Sequence, residues 1–223
     1  MFARAIVVAG LASSAIAASQ QFTDVCEKGY VVESLELANN GGKGLTSLHL
    51  RPCPATGEAA FGAIFDWSGA DLTVKSYPNA AITVGLNKPI ASYKSIPLYM
   101  NWNWLKDPSA IQAFTGLQIH HSGIQIKITL SYRGAMAPGQ LVATPVIGGK
   151  QFKLYKDEPS QTWSYLNDGF TGTDFYAEGL DFVNDAAKQG AALTGDLTAV
   201  SAGTEIFKGE GIFLLNAFTC VPY

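Results

Sequence analysis

The chain has 223 residues, a net charge of −3 and only 15% charged side chains, against 48% hydrophobic ones. That apolar content excludes a disordered tail, and the sparse, mixed charge leaves no basic stripe for nucleic acid. Residues 1–17 read as a signal peptide. Arg4 is the lone charge of a short n-region, residues 5–16 are an apolar run, and Ala15-Ile16-Ala17 is a small-x-small cleavage pattern. No later run approaches the ~20 apolar residues of a membrane span. The expectation is a secreted, extracellular monomer with no membrane anchor and one domain over residues 18–223.

Three cysteines in an oxidising compartment leave one over. Cys26 and Cys53 flank the first hairpin region and form the favoured disulfide, while Cys220 is left free or paired between chains. There is no CxxC, and His49, His120 and His121 have no ligand spacing to the cysteines. No metal and no cofactor are expected.

From Tyr30 onward, short alternating runs follow one another with Gly, Pro or Asn turns between them. They cover residues 30–37, 47–50, 61–67, 71–77, 80–85, 94–104, 123–132, 140–147, 151–156, 161–166, 196–202 and 211–219. So many short strands predict two packed antiparallel sheets. In 94–104, Trp102 and Trp104 share one face and Asn101 and Asn103 the other. The tryptophans are either a platform for sugar rings or core aromatics. In 123–132, Ile124, Ile126, Ile128 and Leu130 alternate with Gln125, Lys127 and Thr129, giving one aliphatic and one polar face. Asp107-Pro108, His120-His121 and Asp157-Glu158-Pro159 read as surface turns. One segment has helical spacing. Over residues 174–190, Tyr176, Leu180, Val183 and Ala187 form a stripe, with Asp174 as N-cap, Lys188 in the last turn and Gly190 as the stop. This helix is expected against the convex side of the sandwich.

Several stretches, taken in order, resemble glycoside hydrolase family 12, the secreted endo-β-1,4-glucanases and xyloglucanases. Phe65-Asp66-Trp67-Ser68-Gly69 is similar to the family's W-x-W-S-G, and Val74-Lys75-Ser76-Tyr77-Pro78-Asn79 to its V-K-S-Y-x-N. KPIASYKSIPLYMNWNW (88–104), GGKQFKLY (148–155) and the helical segment continue in the same order. AGTEIFKGEG (202–211) looks like the family's F-G-T-E-x-F-x-G. The resemblance covers residues 61–217. It implies an all-β, concanavalin A-like jelly-roll β-sandwich of two antiparallel sheets with one α-helix and a long concave groove for β-glucan.

The resemblance also implies retaining hydrolysis by two glutamates about 5–5.5 Å apart. Glu205 stands at the acid/base position. The nucleophile strand, Y-E-L-M-I-W-L in the family, aligns with Ile124–Leu130, so the nucleophile position holds Gln125. The methionine and tryptophan beside it become Lys127 and Thr129. The supporting aspartate of Y-D-L-F-T becomes Gln112. No Asp or Glu occurs between Pro108 and Lys156, so no slip in the alignment restores the carboxylate. An amide can bond a sugar hydroxyl but is a poor nucleophile, and Lys127 on the same face favours an ionised Glu205, which cannot act as the acid. Trp67, Trp102, Trp104, Lys127 and Thr129 are the candidate substrate-binding residues, Trp67 by resemblance only. The reading is a catalytically impaired member that binds a β-glucan or xyloglucan chain, or a glucanase-targeting protein as a decoy. The alternative is an active retaining endo-β-1,4-glucanase or xyloglucanase whose second carboxylate comes from elsewhere.

Overall fold

The computed structural model describes residues 17–26, 29–37, 41–54, 56–69, 73–106, 111–134 and 139–223. All of the expected signal segment but Ala17, and the expected turn at Asp107-Pro108, lie outside them.

The strands in chain order are β1 Ala17–Val25, β2 Tyr30–Glu36, β3 Gly42–Leu50, β4 Ala59–Gly69, β5 Ser76–Ile82, β6 Pro97–Lys106, β7 Gln112–His121, β8 Ile124–Arg133, β9 Gln140–Ala143, β10 Val146–Ile147, β11 Lys150–Asp157, β12 Thr162–Asn167 and β13 Asp174–Glu178. The helix α1, Gly179–Lys188, follows, and β14, Leu197–Thr219, closes the chain. One sheet runs β1-β2-β5-β14-β7-β8-β12-β11, with β9 and β10 both on β11. The other sheet runs β3-β4-β14-β6-β13.

Strand β14 belongs to both sheets. Its first half pairs with β5 and β7, and its second half with β4 and β6. The sequence shows two runs there because Thr204–Gly211 loses the plain alternation. Strands β1 and β7 carry no clear alternating signal and were not expected. Residues 71–85 hold one strand, β5, where the pattern suggested two. One pair, β8 with β12, is parallel in sheets that are otherwise antiparallel.

The aliphatic face of β8 is buried as its alternation requires: Ile124, Ile126, Ile128 and Leu130 are all at most 6% exposed. Each such side chain contributes about 1.5–3 kcal/mol on leaving water. Leu98, Met100 and Trp102 of β6 face them from the other sheet in one core cluster. That burial settles the tryptophans as core aromatics rather than a sugar platform. Trp102 is sealed inside. Trp104 packs edgewise on Phe65 and Phe213 under the Arg133 guanidinium. Trp67 is also interior: its ring clusters with Phe65, Ile111, Ala113 and Ile206, and its indole N–H donates to Thr46 Oγ1 at 2.8 Å.

Residues 174–190 divide. Phe175 and Ala177 are buried while Asp174 and Tyr176 are exposed, which is strand spacing, and β13 pairs with β6. The helix starts only at Gly179. Its N-cap is Glu178, not Asp174, and the Glu178 carboxylate accepts from the Leu180 N–H at 3.0 Å. Phe182, Val183 and Ala186 bury its inner face. Phe182 meets Phe152 and Tyr165 on the convex back of the larger sheet.

Cys26 and Cys53 are disulfide-bonded. Cys220 is 1% exposed, and burial pushes its thiol up to about 12. A thiol so enclosed is not available for pairing between chains. The disulfide closes a loop with a sequence separation of 27, for which chain entropy gives about 3.5 kcal/mol. The double variant Cys26→Ser/Cys53→Ser is expected to lose about that much stability, read from the urea midpoint at unchanged m-value.

Candidate active site

The face of the larger sheet that points away from the core is concave and polar. Its centre is built where β14, β7 and β8 run side by side. On the floor, Gly203 of β14 pairs with Gly116 of β7. Neither tolerates a side chain: a Cβ at Gly116 would lie 1.9 Å from the Ile128 carbonyl oxygen, and one at Gly203 2.2 Å from that of Pro78. The bare floor lets long side chains from either side reach over it.

Glu205 and Gln118 do so. Glu205 is 7% exposed, and its Oε1 accepts from Gln118 Nε2 at 3.1 Å and from Lys127 Nζ at 2.6 Å. The Glu205–Lys127 contact is a partly buried ion pair. Gln118 Oε1 in turn accepts from Gln125 Nε2 at 2.9 Å. His120 Nε2 lies 3.3 Å from both Gln118 Oε1 and Gln125 Nε2. Beyond Gln125, Thr162 Oγ1 donates to Gln125 Oε1 at 3.3 Å, and Ser160 Oγ donates to Thr162 Oγ1 and to Asp157 Oδ2. The floor is thus one chain of hydrogen bonds from Lys127 and Glu205 through two amides to a pair of hydroxyls. Thr129 lines the same depression beside Lys127, as does Tyr77. Tyr77 O–H shares a 2.9 Å hydrogen bond with Ser201 Oγ, and burial, with Glu205 and Glu33 nearby, pushes its phenol far up.

Of the residues singled out in the sequence, Glu205, Gln125, Lys127 and Thr129 come together. Gln112 does not. It sits at the far end of β7, opposite Lys208, eight residues along the strand from the His120 that pairs with Gln125. At about 3.3 Å per residue that is about 26 Å away. The amide beside Gln125 is Gln118, which sequence reasoning missed together with all of β7. The usable signal was the turn. Ser122 and Gly123 have φ of 45° and 81°, the two positive values of a type I′ hairpin. Counting back from that turn pairs Gln125 with His120 and Lys127 with Gln118. His120-His121 is therefore strand and not a surface turn. His121 faces the core, fully buried.

Among the described residues no group of His, Cys, Asp and Glu is placed to hold a metal ion. Two carboxylates flank the centre at a distance. Asp157 on β11 is four strand spacings from Glu205 on β14, about 19 Å. Glu33 on β2 is two spacings away, roughly 10 Å. Glu33 accepts from Gln21 Nε2 at 3.0 Å, and burial raises its carboxyl above the usual range.

No protein-family model matches the chain. The inactive glycoside hydrolase XLP1 of Phytophthora nicotianae is 35% identical over 158 residues, 66% of this chain and 66% of that protein. The xyloglucan-specific endo-β-1,4-glucanase A of Aspergillus niger is 30% identical over 167 residues, 69% of this chain and 68% of that one. The chain thus spans about two thirds of the length of the relatives it matches. Among solved structures, Trichoderma harzianum endoglucanase 3 superposes with a TM-score of 0.79 at 22% identity, covering 96% of this chain and 100% of that one. That likeness shows the jelly-roll sandwich.

The site makes stability depend on pH. Burial, with Lys127 and His121 nearby, lowers His120 to about 4, and burial lowers His121 as well. As pH falls below about 6.5, the unfolded chain takes up protons that the folded chain refuses, so stability present above 6.5 is lost on the way down to 4. Between pH 7 and pH 5 the loss at His120 is about 1–2 kcal/mol. Urea unfolding at the two values is expected to show it. His120→Gln is expected to flatten the difference; an unchanged slope would place the proton uptake at other groups.

Proposed function

The chain belongs to glycoside hydrolase family 12, and we propose that it is a secreted member that has lost retaining hydrolysis and works by binding. The ligand in this reading is a β-glucan or xyloglucan chain lying across the concave face. In the sharper form it is a protein that targets active glucanases, for which this chain is a decoy.

The observation that carries the reading is the ion pair of Glu205 with Lys127 at 2.6 Å, beside Gln125 and Gln118. Retaining hydrolysis needs a second carboxylate about 5–5.5 Å from the acid/base group. Here the side chains within reach of Glu205 are an ammonium and an amide. A paired carboxylate has no proton to give a leaving oxygen, and a primary amide neither attacks an anomeric carbon nor balances the charge of an oxocarbenium ion. The same groups are well suited to holding sugar hydroxyls. Gln118, Gln125, Thr129, Thr162 and Tyr77 offer donors and acceptors along one floor.

An active enzyme remains the second reading, and Glu33 is the observation on its side. Its spacing from Glu205 exceeds that of a retaining pair and approaches the ~6.5–9.5 Å of an inverting one. Its raised carboxyl is the environment a general acid needs.

Reducing-sugar release from xyloglucan and mixed-linkage β-glucan separates the two. No release is expected from the parent protein. Release that vanishes in both Glu205→Gln and Glu33→Gln would establish the second reading instead. Gln125→Glu alone is expected to recover little, because Lys127 stays between the two carboxylates. Gln125→Glu with Lys127→Met is expected to raise release at least tenfold over the parent, each tenfold being about 1.4 kcal/mol of barrier.

A further inference from the structure

A cavity of about 530 Å³ opens at the end of the sandwich, away from the Glu205 centre. Its walls are the ends of β6 and β8 and the segment 167–173 between β12 and β13. The volume is within the ~300–1,000 Å³ of small-ligand sites. The outer wall is fixed in place. Asn167 Nδ2 donates to the Leu130 carbonyl at 2.9 Å, and Asn167 Oδ1 accepts from the Phe170 N–H at 2.8 Å. Lys150 lies over the rings of Phe170 and Phe175. The cavity is therefore formed before any ligand arrives.

Its chemistry selects the ligand class. Tyr132, 49% exposed, presents an aromatic surface. Asn103, Thr171 and Thr173 are exposed amide and hydroxyl groups around it. The two nearby cations are occupied: Lys153 is paired with Asp168 at 2.9 Å, and the Arg133 guanidinium is stacked over Trp104. A phosphate or carboxylate finds no uncommitted positive cluster there. A ring with an apolar face and a rim of hydroxyls fits both the aromatic surface and the polar rim.

We propose that this cavity is a second sugar site, binding one or a few residues of a neutral oligosaccharide independently of the concave face. The site would let the protein hold a branched or neighbouring chain while the concave face holds another, or anchor the protein to glucan while that face is engaged elsewhere.

The test is an amide chemical-shift titration with cellotetraose and, separately, with xyloglucan heptasaccharide. The amides of Arg133, Gly169 and Thr171 report the cavity, and those of Gly116 and Gly203 report the concave face. The cavity amides are expected to move with at least one sugar. Tyr132→Ala and Asp168→Asn, both at solvent-exposed side chains, are each expected to weaken that binding about tenfold and leave the Gly116 and Gly203 response unchanged. Cavity amides that stay still with both sugars overturn the proposal, whatever the concave face does. So does cavity binding that neither variant weakens. The concave-face amides answer separately for the proposed function.

Discussion

Strand β14 is the constraint on which everything else rests. One continuous extended segment of 23 residues pairs with β5 and β7 on one side of the sandwich and with β4 and β6 on the other. Because a one-residue slip would turn every side chain to the opposite face, the register of β14 fixes both sheets at once. Phe213 and Leu215 must face inward in the second half, while Gly203 and Glu205 must face the concave side in the first. The carboxylate at the centre is thus placed by the same strand that aligns the core. Its position is as rigid as the fold.

The larger sheet carries two independent selections on its two faces. The inner face of β8 keeps an unbroken aliphatic row, and substitutions there would open cavities costing several kcal/mol. The concave face of the same strand carries Gln125, Lys127 and Thr129, none of which contributes to that core. Each new polar group there has nevertheless found a partner. Lys127 is paired, Gln118 and Gln125 are bonded through their amides, and Thr162 and Ser160 continue the chain. Buried or half-buried polar groups are costly only when unsatisfied. The rewritten face is therefore compatible with the stability of the whole.

What the sequence revealed follows from the same division. The core face of β8 was legible because period-two alternation of Ile and Leu is the strongest strand signal. Glu205, Gln125, Lys127 and Thr129 could be placed together because short motifs flank them. Strand β7 was not legible. QAFTGLQIHH mixes glycine, amides and histidines on the polar face, and its inner face includes a fully buried histidine, so neither face shows a clean pattern. Missing that strand hid Gln118 and moved attention to Gln112, which matches a motif locally but lies at the wrong end of the sheet. The tryptophans were ambiguous for a different reason. Alternation tells which residues share a face but not which face is covered, and only the second sheet decides that Trp102 is inside. The helix began late because Phe175 and Ala177 fit both a strand and the start of a helical stripe, and β6 was there to pair with.

The hydrogen-bonded chain on the concave floor has a historical consequence. A carboxylate regained at position 125 would meet the carbonyl oxygen of Gln118 where an amide N–H now donates. A lysine lost at position 127 would leave Glu205 without its counter-charge. Each step back toward an ancestral floor is locally unfavourable until the others have been taken, so neutral drift does not retrace it. The arrangement acts as a ratchet. Once the network closed on itself, descent from this chain had room to refine what the groove holds, but little room to recover what it once cut.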